Sequence, residues 1–572
     1  MAERIFYFPA FFYLVLFAIV PFGLSIYFSA PSGELSSYVT LFSSSQTLRF
    51  LENTFIFSFG SAIFAVVLGT ALAIFVDSLV RGRRLFSLLA YLPYTIPFTA
   101  AALVWITIYD PINGPADYLL RLLGFHAVDW LGQPSLVIYS VTIVSIWTSI
   151  PLAFLVVLAG LSSVPAHLKE AAKVDGVGVS DYYTSIAVPM AKSAILTAFL
   201  LTLIIAFGNF DLPYILNEGY SYAVATLPLV VYFQIFYANE VAQGLASGII
   251  LTAIVSIFSY LLIRVTLSQG KIGKRGSGAT GARLSVPRAL KIAFRPLIYV
   301  VSALTLLFLL FPVYWMALIA TRPDSLNLYN PPLLWPKAAS IITFVATAVQ
   351  AEPYLITTFV VSLAVMALTL ILAAPAAFAV ARRRKRWLLF LSIYLFSLPS
   401  TTFVFGAYYM IYKVGLLNTW IALILTYPIF TLPFAIWTLS NFYNSLPKTF
   451  EEAAHIDGYS PIRAFYRVVM PLARPGLFAT ALLSFVFSWH LLLFPLVLSE
   501  TPYQFNFPPT GSFAVTNFAA LFDPTSFGST VGANLWAQVG SAGIIVAVPV
   551  IVLALAAQNY LLKGLYSGGT KG

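Results

Sequence analysis

The sequence predicts an all-α polytopic membrane protein, with about twelve transmembrane helices arranged as two parallel six-helix repeats. Three observations carry that expectation. Only 9% of the 572 residues are charged while 60% are hydrophobic and 16% aromatic, whereas about a quarter of the residues of a soluble globular chain are charged. Apolar runs of about 20 residues, the length that crosses a bilayer core as a helix, recur twelve times. One polar segment among them occurs twice in register: residues 170–189 read EAAKVDGVGVSDYYTSIAVP and residues 452–471 read EAAHIDGYSPIRAFYRVVMP, with 452 − 170 and 471 − 189 both equal to 282.

The first-half spans fall near residues 5–28, 53–76, 85–108, 136–161, 194–216 and 244–267, the second-half spans near 297–320, 355–381, 387–411, 419–443, 476–498 and 535–562. The first run follows a single Arg4 and carries Pro9, Pro21 and Gly23. It is longer than the apolar core of a cleaved signal peptide, so it reads as a retained helix. Between spans six and seven, SQGKIGKRGSGATGARLSVPRALKIAFR (268–295) is polar, Gly-rich and basic, the composition of a flexible linker. This divides the chain near residue 280 into repeats 1–280 and 281–572. The GKIGKRGS stretch lacks the Gly-Lys-Ser/Thr ending of a phosphate-binding loop, and no strand precedes it.

The net charge of +11 is topological. With the N-terminus inside, only Arg49, Arg121, Arg322, Lys337 and Lys413 of the 31 Lys and Arg lie outside, leaving 31 − 5 = 26 on the cytoplasmic side. That bias fixes the orientation with both termini cytoplasmic and removes the reason to invoke nucleic acid. Cysteine is absent, so disulfides, thiolate metal ligands and thiol nucleophiles are excluded. The four His are dispersed at 126, 167, 455 and 490, which argues against a membrane-embedded enzyme.

The 282-residue register extends beyond the duplicated segment, pairing Pro151 with Pro433, Pro165 with Pro447, Pro213 with Pro495 and Leu216 with Leu498. Upstream, Leu92-Pro93 pairs with Leu398-Pro399 at 398 − 92 = 306, implying 306 − 282 = 24 extra outer residues around 108–133 of the first half. Six spans per half return the chain to the same side, so the repeats are parallel and related by an axis along the membrane normal. Within each duplicated segment (162–192 and 444–475), Pro165 suits a first helical turn and Asp175-Gly176 or Asp457-Gly458 ends the helix in a left-handed turn. A second helix is expected after Ser180 in one copy and after the Ser460-Pro461 cap in the other.

The paired Glu-Ala-Ala, Asp-Gly and Pro signature resembles the EAA loop of permease subunits of ATP-binding-cassette (ABC) importers. Three stretches, TLPFAIWTLSNFYNSLPKTFEEAAHIDG, FSWHLLLFPLVLS and the tail QNYLLKGLYSGGTKG, are similar to the second permease subunit of the maltose-type carbohydrate branch. WITIYDPINGPADYLLRLLGF and AFGNFDLPYILNEG are similar to its first subunit, so the two look fused here. The resemblance implies the type I importer permease fold and alternating access. It also implies coupling helices that dock into two separate ATPase subunits, and an extracellular or periplasmic sugar-binding protein. The coupling residues would be Glu170, Ala171, Asp175, Gly176, Glu452, Ala453, Asp457 and Gly458. ATP and Mg would sit on the partner ATPases, with no cofactor or metal on this chain.

For a sugar, aromatic faces and a few hydrogen-bonding groups are needed in the membrane cavity. The candidates are Phe207, Asn209, Phe210 and Asp211 on span five, Trp489 and His490 on span eleven, and Trp147 on span four. Asn209 aligns with a sugar-contacting position of maltose-type permeases, and Trp489-His490 stands where that branch usually has Trp-Asn. Asp211 is a carboxylate at membrane depth, where insertion costs about 2.5–3.5 kcal/mol unless a cavity or partner receives it. The competing readings are an ABC permease for another small solute and an ion-coupled secondary transporter, which would need more buried ionisable groups than these spans contain.

Overall fold

The computed structural model describes residues 2–33, 35–216, 225–272, 288–383, 385–499 and 535–566. Among them the regular structure is helical throughout. Eight helices are long and apolar enough to cross a membrane, and twelve spans result when each of four bent pairs is one span. The first half contains α1 (Ile5–Ser29), α2 (Ser45–Ser78), α3 (Arg83–Thr95), α4 (Phe98–Ile108), α5 (Val137–Ser162), α6 (Ala166–Val174), α7 (Val179–Met190), α8 (Lys192–Phe207), α9 (Asp211–Leu216), α10 (Leu227–Phe236) and α11 (Val241–Ile272). The second half contains α12 (Arg288–Ala320), α13 (Ile342–Arg383), α14 (Arg386–Ser397), α15 (Ser400–Lys413), α16 (Trp420–Ser445), α17 (Thr449–Ile456), α18 (Pro461–Leu472), α19 (Arg474–His490), α20 (Leu493–Leu498) and α21 (Leu535–Tyr566). The expected linker is helical at both ends, since α11 runs to Ile272 and α12 starts at Arg288; the boundary near 280 lies outside the described residues.

The repeat holds to the residue where the sequence register is tight. α7 and α18 start 461 − 179 = 282 residues apart, α9 and α20 start 493 − 211 = 282 apart, and each of α7 and α18 contains a five-residue π turn (Tyr183–Ala187 and Phe465–Val469). The third span of each half departs from the straight helix expected: α3 meets α4 at 93°, and α14 meets α15 at 95°. Pro97 and Pro399, both extended, form the N-caps of α4 and α15. Proline disfavours helical backbone in the residue before it, so Ile96 and Leu398 leave the helix. The equivalent prolines are therefore Pro97 and Pro399, 399 − 97 = 302 apart. That register is one helical turn from the Leu-Pro pairing and reduces the first-half surplus to 302 − 282 = 20 residues. Span five is also interrupted, at Gly208–Phe210 between α8 and α9, and its counterpart at Leu491-Leu492 between α19 and α20. The buried apolar helix α10 was not anticipated; at 10 residues it is too short to span, the length of a buried or re-entrant segment.

The first helix of each half lies on the other half. α1 sends the Tyr13 hydroxyl to the Leu425 carbonyl and the Ser25 hydroxyl to the Thr402 carbonyl (2.9 Å), and its Pro21 backbone rests directly on Gly406 of α15, where a Cβ would collide. Reciprocally, Ser302 of α12 donates to the Ala71 carbonyl of α2 (3.2 Å), and the Trp315 indole donates to Thr107 of α4 (3.0 Å). Small residues that let backbones approach, and hydroxyls that bridge helices, are what hold helices together in lipid, where no hydrophobic force separates protein from solvent.

Candidate functional site

The two duplicated loops are congruent. α6 ends at Asp175 and α17 at Asp457; Gly176 (φ +67°) and Gly458 (φ +81°) follow in the left-handed conformation. Val177 N–H then donates to the Ala172 carbonyl (2.8 Å) and Gly176 N–H to Lys173 (3.2 Å); Tyr459 N–H donates to Ala454 (2.9 Å) and Gly458 N–H to His455 (3.1 Å). This 6→1 and 5→2 pair satisfies carbonyls that a helix end leaves open. A side chain on either glycine would meet nothing within 4 Å, so the left-handed backbone, rather than space, requires glycine there.

Glu170, Ala171, Asp175, Gly176 and their counterparts Glu452, Ala453, Asp457 and Gly458 are all exposed. Beside them Val174 is 87% and Ile456 86% exposed, again 282 apart. The second helix starts at Val179 with Gly178 as its cap, two residues before the expected start after Ser180; at the matching position Ser460 caps Arg463 N–H (3.3 Å).

Within the membrane, the interruption of span five in each half packs against the bend of span three in the other. Gly208 sits 3.4 Å, measured from where a Cβ would be, from Pro399 Cα. Its counterpart at 208 + 282 = 490 is His490, which hydrogen-bonds the Thr95 backbone and lies beside the rings of Tyr94 and Phe98 (6.4 and 6.3 Å). The breaks therefore meet across the pseudo-twofold axis.

Residues 65–270 and 369–565 each match the family described as the binding-protein-dependent transport system inner membrane component, together more than half of the chain. The chain belongs to this family. It carries the family's domain twice, and so is a fused permease of a multi-pass inner-membrane transporter. Curated relatives match between 33% and 49% of it. The trehalose transport system permease SugB of Mycobacterium tuberculosis is 32% identical over 48% of this chain and 96% of its own length. MalG and MalF, permeases of the trehalose/maltose transport system of Thermococcus litoralis, are 29% identical over 49% of this chain and 97% of the relative, and 28% over 41% and 80%. Among solved structures, a bacterial alginate ABC transporter aligns with a TM-score of 0.39 at 25% identity, covering 45% of this chain and 93% of that chain.

In this permease the sequence-selected membrane residues separate into two groups. Phe207 is fully buried among the rings of Phe55, Phe59 and Phe258, and Phe210 lies between Tyr214 and Tyr232. Trp147 donates its indole N–H to the Leu309 carbonyl of α12 (3.1 Å), and Trp489 donates to Val546 of α21 (3.0 Å) while stacking on Phe485. All four are engaged in packing between helices. Asn209, Asp211 and His490 instead sit at the two breaks. The Asn209 side-chain carbonyl caps α9 by accepting from Leu212 N–H (3.1 Å), Asp211 is the first residue of α9, and His490 Nε2 is buried without a hydrogen-bond partner among the described residues.

Sequence reasoning passed over the residues that fasten the loops. Asp77, near the end of α2, accepts from Tyr183 OH (2.8 Å) and faces Lys169 Nζ (3.4 Å) and Arg83 Nη2 (3.5 Å). Arg382, near the end of α13, donates Nε to Glu451 Oε1 (2.6 Å) and Nη2 to the Leu446 carbonyl (3.0 Å). The usable signal was the opposite sign of Lys169 and Glu451 at matched positions, since Lys173 shares the first loop and Arg382 lies within the basic run 382–386.

Proposed function

We propose that this fused permease forms the transmembrane pathway of an ATP-driven sugar importer in the cytoplasmic membrane, with both termini cytoplasmic. The pair of congruent loops carries this reading. Each presents a short helix closed by a left-handed glycine, with an exposed acid and an exposed aliphatic tip, a shape suited to a cleft in a separate ATPase subunit. ATP and Mg belong to two such subunits, and an extracellular sugar-binding protein delivers the substrate. Closure of the ATPases draws α6 and α17 together, and the movement opens the contacts between the span-five breaks and the span-three bends toward the outside. Asn209, Asp211 and His490 are the groups assigned to sugar hydroxyls there. Support for sugar comes from relatives named for trehalose, maltose and diacetylchitobiose transport, although one is named for sn-glycerol-3-phosphate.

The test reconstitutes the full chain with its ATPases and binding protein. Gly458→Asp and Glu452→Lys should leave the chain folded but abolish hydrolysis stimulated by loaded binding protein; intact assembly and stimulation would overturn the coupling role. Uptake of radiolabelled sugar into vesicles should require ATP and no ion gradient. Uptake driven by an ion gradient alone would return the chain to the secondary-transporter class, and binding of a phosphate ester but no sugar by the cognate binding protein would shift the substrate.

A further inference from the structure

Lys169 and Glu451 occupy the same position of the two loops, 451 − 169 = 282, immediately before the exposed Glu170 and Glu452. Each side chain reaches the cytoplasmic end of the second span of its own half. The charges on both sides are inverted: a loop cation meets Asp77 on α2, and a loop anion meets Arg382 on α13. The second pair is enclosed, with the Arg382 and Glu451 side chains 6% and 14% exposed; in the first, Asp77 is buried at 9% while Lys169 stays 41% exposed. The surroundings extend each tie. Arg83 joins Asp77 to Ser162 at the end of α5 (Nη2 to Oγ, 2.8 Å), and Arg382 also holds the Leu446 carbonyl just before α17.

We propose that these two ion pairs are positioning devices of opposite polarity, each locking a coupling helix to the second span of its own half so that the two move as one body. This rests on the coupling role proposed above. The inversion makes the loops non-interchangeable, because α6 seated on α13 would set Lys169 against Arg382, and α17 seated on α2 would set Glu451 against Asp77. Like charges brought together in an enclosed site reject the wrong pairing, which is how close relatives in one assembly are kept apart. In a chain with two similar repeats, that discrimination assigns each ATPase contact to one half.

The chain has no cysteine, so single spin labels on Ile456→Cys and Val174→Cys report each coupling helix on a clean background. In the full chain in nanodiscs, Glu451→Arg should free the label at 456 and leave that at 174 immobile, Lys169→Glu should do the reverse, and Arg382→Glu with Glu451→Arg should re-immobilise 456. With co-purified ATPases, Glu451→Arg should lower transport per ATP hydrolysed by at least about tenfold, because it sets a second cation against the buried Arg382 and breaks the tie, and the charge-exchanged double variant should recover most of it. An immobile 456 label in Glu451→Arg, mobility at both labels, or a double variant no better than the single would overturn the proposal. Gly458→Asp, measured in parallel, separates this from failure of the coupling role itself: if it still uncouples hydrolysis, only the ion-pair assignment has failed.

Discussion

Tyr183 and Phe465 hold the same place in the two π turns, and the difference of one hydroxyl summarises how the two loops are fastened. In the first half the Tyr183 hydroxyl donates to Asp77, which also gathers Lys169 and Arg83. In the second, Phe465 joins an aromatic cluster with Phe378 (5.0 Å), Tyr443 and Phe6 (5.5 Å), and a single tight Arg382–Glu451 pair supplies the polar tie. One anchor is distributed over several donors around one carboxylate; the other concentrates its charge in one contact and relies on rings for the rest. The same backbone course is thus kept by two chemistries, and the exposed surfaces differ as well, with Asp181 in one loop where Arg463 stands in the other (463 − 181 = 282). On the coupling role proposed above, this asymmetry accommodates either two distinct ATPases or one used twice.

The comparison breaks most sharply at the concentrated anchor. Glu451→Ala leaves Arg382 enclosed without its carboxylate and should cost about 2–4 kcal/mol, whereas Lys169→Ala, with Asp77 still held by Tyr183 and Arg83 and Lys169 itself partly solvated, should cost about 0.5–1 kcal/mol; thermal unfolding of the purified chain reads both. Next come Gly176→Ala and Gly458→Ala, each expected to cost about 1–2 kcal/mol for a left-handed residue with a side chain. Here the halves should agree, and unequal melting shifts would show that the loops are not congruent. Tyr183→Phe should cost about 0.5–1.5 kcal/mol for one hydrogen bond; the reverse change Phe465→Tyr should stabilise less than that, because Phe378, Tyr443 and Phe6 offer no carboxylate in the place of Asp77. Smallest for stability are Val174→Ser and Ile456→Ser, within about 0.5 kcal/mol for exposed sites, although both should weaken ATPase co-purification.

Spans and register were legible because a twenty-residue apolar run and a 282-residue offset held without a gap from 151 to 216 each reflect a constraint that acts locally along the chain. The loop closures were legible for the same reason, since Asp-Gly reports its own backbone conformation. The right-angle bends at Pro97 and Pro399 were not, because an apolar run interrupted by proline still reads as one span and Leu92-Pro93 offers a competing match one turn away. Trp147 and Trp489 looked like sugar platforms by residue type, yet their indoles bond to carbonyls of α12 and α21, partners far away in sequence. Arg382 was absorbed into the basic run 382–386 as a topological charge; only the fold brings it to Glu451.

The exchange of first helices between halves has a consequence for the order of biosynthesis. Phe6 packs on Phe378 and Phe465, so α1 has to wait for a partner made 378 − 6 = 372 residues later. Until then α1 resides in lipid without its final neighbours, and its outward face of Ile5, Phe8 and Phe12 suits it to that wait. Joining the halves in one polypeptide turns what would be an encounter between two subunits into a closure within one chain, so the late-arriving α13 finds its α1 at a tethered concentration and in a fixed one-to-one ratio.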